Sequence, residues 1–152
     1  MATSSHWPDV GVLVPHSGVA RLITSVTSVS STSIHAIGAI PNGHPLVVDG
    51  AAPALLVIEL GAQVAAAMEA IGRRTASGRD ESARVGSLVR IREAQFSRTS
   101  VPAGAPIVVT AEVLGSAPPL AIYAIRATMD DVEIGRGVIS THAGQAPTGD
   151  QS

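Results

Sequence analysis

Two side chains in this sequence suit acid–base chemistry, His44 and Glu59. His44 stands in Pro41-Asn42-Gly43-His44-Pro45, a run that reads as a loop. Its imidazole ordinarily titrates near neutral pH, which suits a base working there. Glu59 stands inside the apolar stretch Ala51 to Gly72. A carboxylate buried alone in such a helix costs several kcal/mol. It therefore either pairs with a cation, for which Arg90 and Arg92 are the nearest candidates, or does chemistry. Enclosure by Leu55, Leu56, Ile58 and Leu60 is expected to raise its pKa and favour the protonated acid. Gln63 follows one helical turn later on the same face. It can orient the carboxyl or a substrate, or simply tie the helix to a sheet.

The remaining polar residues give weaker signals. His16, in Pro15-His16-Ser17-Gly18, is expected to anchor the N-terminal segment. His35 alternates with apolar residues on a strand, and His142 closes the last one. Neither has a carboxylate at metal-ligand spacing, so no metal site is expected. Ser17 lacks the G-x-S-x-G setting of a nucleophile elbow. Arg73, Arg74 and Arg79 cluster near the helix end, where they could meet an acidic partner or remain solvated surface charge.

These residues must be positioned by an aliphatic scaffold. The chain has 152 residues, 45% hydrophobic, 14% charged and 2% aromatic, with net charge −2 and no cysteine. A disulfide scaffold and a cysteine zinc site are excluded. All ten basic residues are Arg, and Trp7, Phe96 and Tyr123 are the only aromatics. Neither charge nor stacking surface favours nucleic acid. No signal-peptide pattern precedes residue 20. Ala51 to Gly72 has bilayer-spanning length, but Pro53, Glu59, Gln63 and Glu69 interrupt it, so a helix inside a soluble, cytoplasmic protein is expected.

The hydrophobic pattern gives strands over 19–29 and 32–40. A long helix follows, starting near Pro53 and stopping at Gly72-Arg73-Arg74, then a polar loop over 75–83. Further strands follow over 85–96, 107–114, 120–129 and 132–141, the last two joined by a tight Asp130-Asp131 hairpin. The helix has apolar residues in every direction, so a curved sheet must wrap it. One sheet cannot cover all of it, and a second subunit is expected to help. A single domain over 1–143 with a disordered tail over 144–152 is the expected organisation.

This order resembles the α+β hotdog fold, a curved antiparallel sheet wrapped around one long central helix. Within it the sequence is similar to the β-hydroxyacyl-acyl carrier protein dehydratases, and more closely to their divergent relatives of aryl-polyene and related pathways. Leu13-Val14-Pro15-His16-Ser17-Gly18 resembles the family's N-terminal L-x-P-H motif. His44-Pro45-Leu46, Asp49-Gly50 and Pro53 through Gln63 resemble its active-site loop and helix, with an I-E-x-x-A-Q pattern. Arg92 to Arg98 and Val101 to Gly104 resemble its strand and P-x-G turn. Two positions depart from the common pattern: His44-Pro45-Leu46-Val47 replaces His-Phe-Pro-Gly, and Ala54 stands where glycine is usual.

The resemblance implies dehydration of a 3-hydroxyacyl thioester to the trans-2-enoyl product. His44 would be the base and Glu59, from the other subunit, the acid. Near Ala54, the backbone would bind the thioester carbonyl, with Gly50 and Gln63 beside the substrate. No cofactor is implied, because the substrate rides on the phosphopantetheine arm of an acyl carrier protein. Arg73 and Arg74 are the expected carrier contacts. A homodimer is implied, or a heterodimer with another hotdog subunit. The alternatives are an acyl thioesterase of the same fold and a non-catalytic partner subunit.

Overall fold

The computed structural model describes residues 7–79, 81, 83, 84 and 86–144. The expected tail over 144–152 lies outside them except for its first residue. A short helix, α1 (Val10–Leu13), is opened by Asp9, whose Oδ1 accepts from the Gly11 amide at 2.7 Å. It seats Leu13 and Val14 in the core and leads into β1 (Ile23–Val29) and β2 (Ser33–Gly38). Next come β3 (Ala51–Pro53), the long α2 (Leu56–Ser77) and β4 (Ser87–Phe96). The chain ends with β5 (Ser100–Pro102), β6 (Ile107–Ala117), β7 (Leu120–Met129) and β8 (Val132–His142).

Six strands form one antiparallel sheet in the order β1-β2-β6-β7-β8-β4, and β3 pairs with β5 in a small second sheet. Together they make the hotdog fold. Alternation explains the main sheet. Ile34 and Ala36 of β2, Ile107, Val109 and Ala111 of β6, Ile125 and Ala127 of β7, and Ile134 and Ile139 of β8 all turn inward. The β7–β8 hairpin turns on Asp130 and Asp131 with φ of 49° and 62°, the left-handed pair a two-residue turn demands.

The helix differs from expectation at both ends. Pro53 belongs to β3, because its neighbours pair with β5, so α2 starts at Leu56. Helical hydrogen bonding runs past Arg73 and Arg74 to Ser77, and Gly78 closes it at φ 66° with its amide on the Arg74 carbonyl. The expected polar loop thus loses its first turn to the helix. Val85, where the next strand was expected to begin, lies outside the described residues.

The helix is also not buried all round. Val57, Leu60, Val64, Ala67 and Ile71 are buried, and Gly61 lets it close onto β7, where a Cβ would meet Ile125 Cγ2 at 2.5 Å. Glu59, Ala62, Ala66, Glu69 and Arg73 form a half-buried stripe at steps of three and four. The sheet curls around the other faces and leaves this one uncovered. Beside it, β4 is the sheet's edge strand. Nearly all of its ten residues are exposed, Leu88, Val89 and Ile91 among them.

Candidate active site

The open stripe of α2 forms one wall of a groove of about 90 Å³. Pro15 and His16 close one end beside Glu59. Ala62 and Ala66 form the floor, and Glu69, Arg84, Leu88 and Thr141 line the far part. The two alanines leave the channel open where larger side chains would fill it. Glu59 and Glu69 stand about 15 Å apart along the helix axis.

At the near end, Gln63 is 1% exposed and fully hydrogen bonded. Its Oε1 accepts from the Leu22 and Ile23 amides at 2.7 and 3.2 Å. Its Nε2 donates to the Ala20 carbonyl at 2.8 Å and to Glu59 Oε1 at 3.2 Å. The two amides fix which end of the Gln63 side chain is oxygen, so its NH₂ necessarily faces Glu59. Gln63 therefore both ties helix to sheet and orients the carboxyl.

Glu59 itself is not enclosed as expected. Its side chain is 41% exposed at the groove mouth, because Leu55 turns outward and the neighbouring leucine and isoleucine side chains face the sheet. Nor is Arg90 or Arg92 its partner. His16 is, with Nε2 3.3 Å from Glu59 Oε1. Sequence reasoning gave His16 only an anchoring role. His16 lies in the Leu13-Val14-Pro15-His16 motif, but nothing local in the sequence shows that α1 folds back over the helix.

His44 does not line this groove in its own chain. Its Nδ1 accepts from the Leu46 amide at 3.1 Å, and its carbonyl accepts from the Val47 amide at 3.0 Å. A neutral His44 held this way carries its proton on Nε2, and its Nδ1 lone pair is taken by the Leu46 amide. The Ala54 amide donates to the Thr99 carbonyl at 3.0 Å and is not free for a thioester oxygen. A donor near Ala54 is therefore not the Ala54 amide itself; Leu55 and Leu56, at the head of α2, carry the next amides. Gly50 sits at φ 74°, with its carbonyl accepting from the Ala103 amide at 2.9 Å.

At the far end, Tyr123 Oη donates to Glu69 Oε1 at 2.6 Å, and Thr141 Oγ1 lies 3.5 Å from the same oxygen. Burial first, and then the Glu69 carboxylate, push the Tyr123 phenol well above its ordinary pKa. Arg73 lies 3.6 Å from Glu81, and Arg74 donates to the Glu81 carbonyl at 2.8 Å. Burial, then Arg84, lower the Arg73 pKa. Both arginines brace the segment after the helix.

Comparison with known proteins matches residues 8–148 to the ApeP-like family, described as ApeP dehydratase. No curated protein matches the chain. Among solved structures, a chain of the dehydratase heterocomplex ApeI:P from Xenorhabdus doucetiae is similar at TM-score 0.81 and 18% identity, covering 92% of this chain and 93% of that one. A point variant of the HP0420 homologue from Helicobacter felis is similar at TM-score 0.63 and 10% identity, over 95% and 92%. A mutant of the thioesterase PA1618 from Pseudomonas aeruginosa gives 0.52 and 11%, over 80% and 81%. At these identities the structures speak for the fold alone.

Proposed function

The chain belongs to the ApeP-like dehydratase family, and from that premise we propose that it removes water from 3-hydroxyacyl thioesters carried on an acyl carrier protein. The observation that carries this reading is Glu59, held at the groove mouth by Gln63 and His16 on one oxygen, the other having no hydrogen-bond partner among the described residues. Dehydration needs a base for the C2 proton, an acid for the departing hydroxyl and donors for the enolate-like oxygen. In this reading His44 of a second subunit takes the C2 proton. Electrons from that C–H bond form the C2=C3 double bond as the C3–O bond breaks. Glu59 protonates the departing hydroxyl, which leaves as water. Amides at the head of α2 serve the oxygen, helped by the positive end of the helix.

A second subunit supports the site in two ways. It would cover the edge strand β4, whose Leu88, Val89 and Ile91 are otherwise wet, and it would enclose a carboxyl that one chain leaves open. The partner is a second copy of this chain or another hotdog subunit; the heterocomplex relative is an instance of the second arrangement. Among the described residues no helix is long and apolar enough to cross a membrane. A cytoplasmic location and carrier contacts through Arg73 and Arg74 belong to the same reading. Hydrolysis by a thioesterase would instead release free thiol.

The test is turnover of a 3-hydroxyacyl thioester by wild type, His44→Ala and Glu59→Gln, with enoyl product and free thiol both measured. Enoyl formation lost in both variants is expected. Wild-type rates in both, or thiol without enoyl product, would sink the assignment. Mass measurement of the purified complex decides between one kind of subunit and two.

A further inference from the structure

We propose that His16 is a positioning residue that, with Gln63, decides which oxygen of Glu59 meets the substrate; this rests on the dehydratase reading above. Both contacts fall on one atom. Gln63 Nε2 lies 3.2 Å from Glu59 Oε1, and His16 Nε2 lies 3.3 Å from the same Oε1. The Gln63 amide cannot be turned round, because its oxygen is taken by the Leu22 and Ile23 amides. It donates to Oε1 in every protonation state of the carboxyl.

His16 is constrained by its other nitrogen. Nδ1 is buried with no hydrogen-bond partner among the described residues. A proton there would be a buried donor without an acceptor, and it would leave the lone pair of Nε2 facing that of Oε1. The neutral ring therefore keeps its proton on Nε2, the nitrogen 3.3 Å from Glu59 Oε1. With the Gln63 amide donating to Oε1 and the His16 N–H side of the ring against the same atom, a proton carried by Glu59 sits on Oε2. Oε2 is then the oxygen left for a C3 hydroxyl bound in the groove that Glu59 lines. Gln63 alone fixes one direction only; His16 adds the second and stops the carboxyl rotating to present Oε1.

The arrangement also explains why α1 is so firmly seated. Leu13 and Val14 are almost wholly buried, and the Ala20 carbonyl and the Leu22 and Ile23 amides all bond Gln63. His16 lies between these two anchors. Its position relative to Glu59 is thus set from both sides.

The experiment compares kcat and KM for dehydration of 3-hydroxyoctanoyl-pantetheine by the wild-type complex, His16→Leu and His16→Gln. A glutamine amide can place an N–H where Nε2 stands; leucine cannot. We expect His16→Leu to lower kcat about 10- to 100-fold with little change in KM, and His16→Gln to recover most of it. Equal loss in both variants, or wild-type kcat in His16→Leu, overturns the proposal. A readout free of substrate accompanies it: ¹⁵N NMR of the neutral His16 ring. The Nε2–H form should dominate in wild type and give way to a mixture in Glu59→Leu, and a dominant Nδ1–H form in wild type contradicts the assignment. Should wild type leave the thioester intact while the NMR signature holds, the dehydratase reading fails and the His16–Glu59 pairing stands.

Discussion

Glu59 and Glu69 occupy the same open stripe of one helix, yet their surroundings give them opposite characters. Each has one oxygen held by hydrogen bonds. At Glu59 the donor is a buried amide, with a histidine 3.3 Å from the same oxygen, and the carboxyl stands at a groove mouth with its side chain 41% exposed. At Glu69 the donor is a phenol buried in the sheet, at 2.6 Å. In the proposed function Glu59 is the group that gives a proton to the substrate in the groove. Glu69 fastens the helix to β7 and β8. Two identical side chains ten residues apart thus differ in surroundings, Gln63 and His16 at one and Tyr123 and Thr141 at the other, a difference their helical positions alone could not create.

The sharpest way to break this contrast is to neutralise each carboxylate in turn. Glu59→Gln should cost about 10²- to 10⁴-fold in dehydration rate, the usual worth of a general acid. Glu69→Gln should stay within about threefold of wild type, as a residue outside the chemistry would. Equal losses, measured in steady-state turnover, would erase the distinction.

Gln63→Ala should come next. It strands the Leu22 and Ile23 amides in the core, where those residues are at most 1% exposed, at about 1–3 kcal/mol for each unsatisfied group. Urea unfolding followed by circular dichroism measures this loss, and an unchanged midpoint would show that water replaces the glutamine.

Tyr123 sharpens the other half of the contrast. It is the only tyrosine, so near-ultraviolet phenolate absorbance reports it alone. Its folded pKa lies above the ordinary value of 10.0, chiefly through burial and then through Glu69. The neutral phenol is therefore favoured by folding. This contribution is complete below pH 10 and is lost as pH rises from there toward the folded value. Native protein should show no phenolate step at pH 10, and Glu69→Ala should bring the step down only part of the way. A normal titration in the native protein contradicts the burial argument.

Thr141→Val should have the smallest effect, below about 0.5 kcal/mol in thermal or chemical unfolding. Its 3.5 Å contact with Glu69 is at the limit of a hydrogen bond. A larger loss would mean that Glu69 depends on the β8 end of the groove as well as on Tyr123.

Much of this was legible from the residues. The six main strands, the long helix and the Asp130-Asp131 turn follow from hydrophobic periodicity and turn chemistry, both local properties. Glu59 was conspicuous as a charge in an apolar helix, and Gln63 as its neighbour one turn on. The small β3–β5 sheet was not legible: three residues pairing with three others leave no periodic trace, and it moved the helix start from Pro53 to Leu56. His16 was undervalued for a similar reason. Its importance depends on a segment over forty residues earlier folding across α2, a contact between distant positions.

The amino-acid order by itself determined an aliphatic chain of strand, strand, helix and four strands, with one carboxylate–amide pair at helical spacing. Those features rest on interactions between near neighbours. Only the tertiary structure decided that His16 rather than an arginine meets Glu59, that the Ala54 amide is spent on Thr99, and that Glu69 is tethered while Glu59 is presented. Each depends on which distant backbone or side-chain group arrives first at a hydrogen-bonding atom, and chain packing alone sets that.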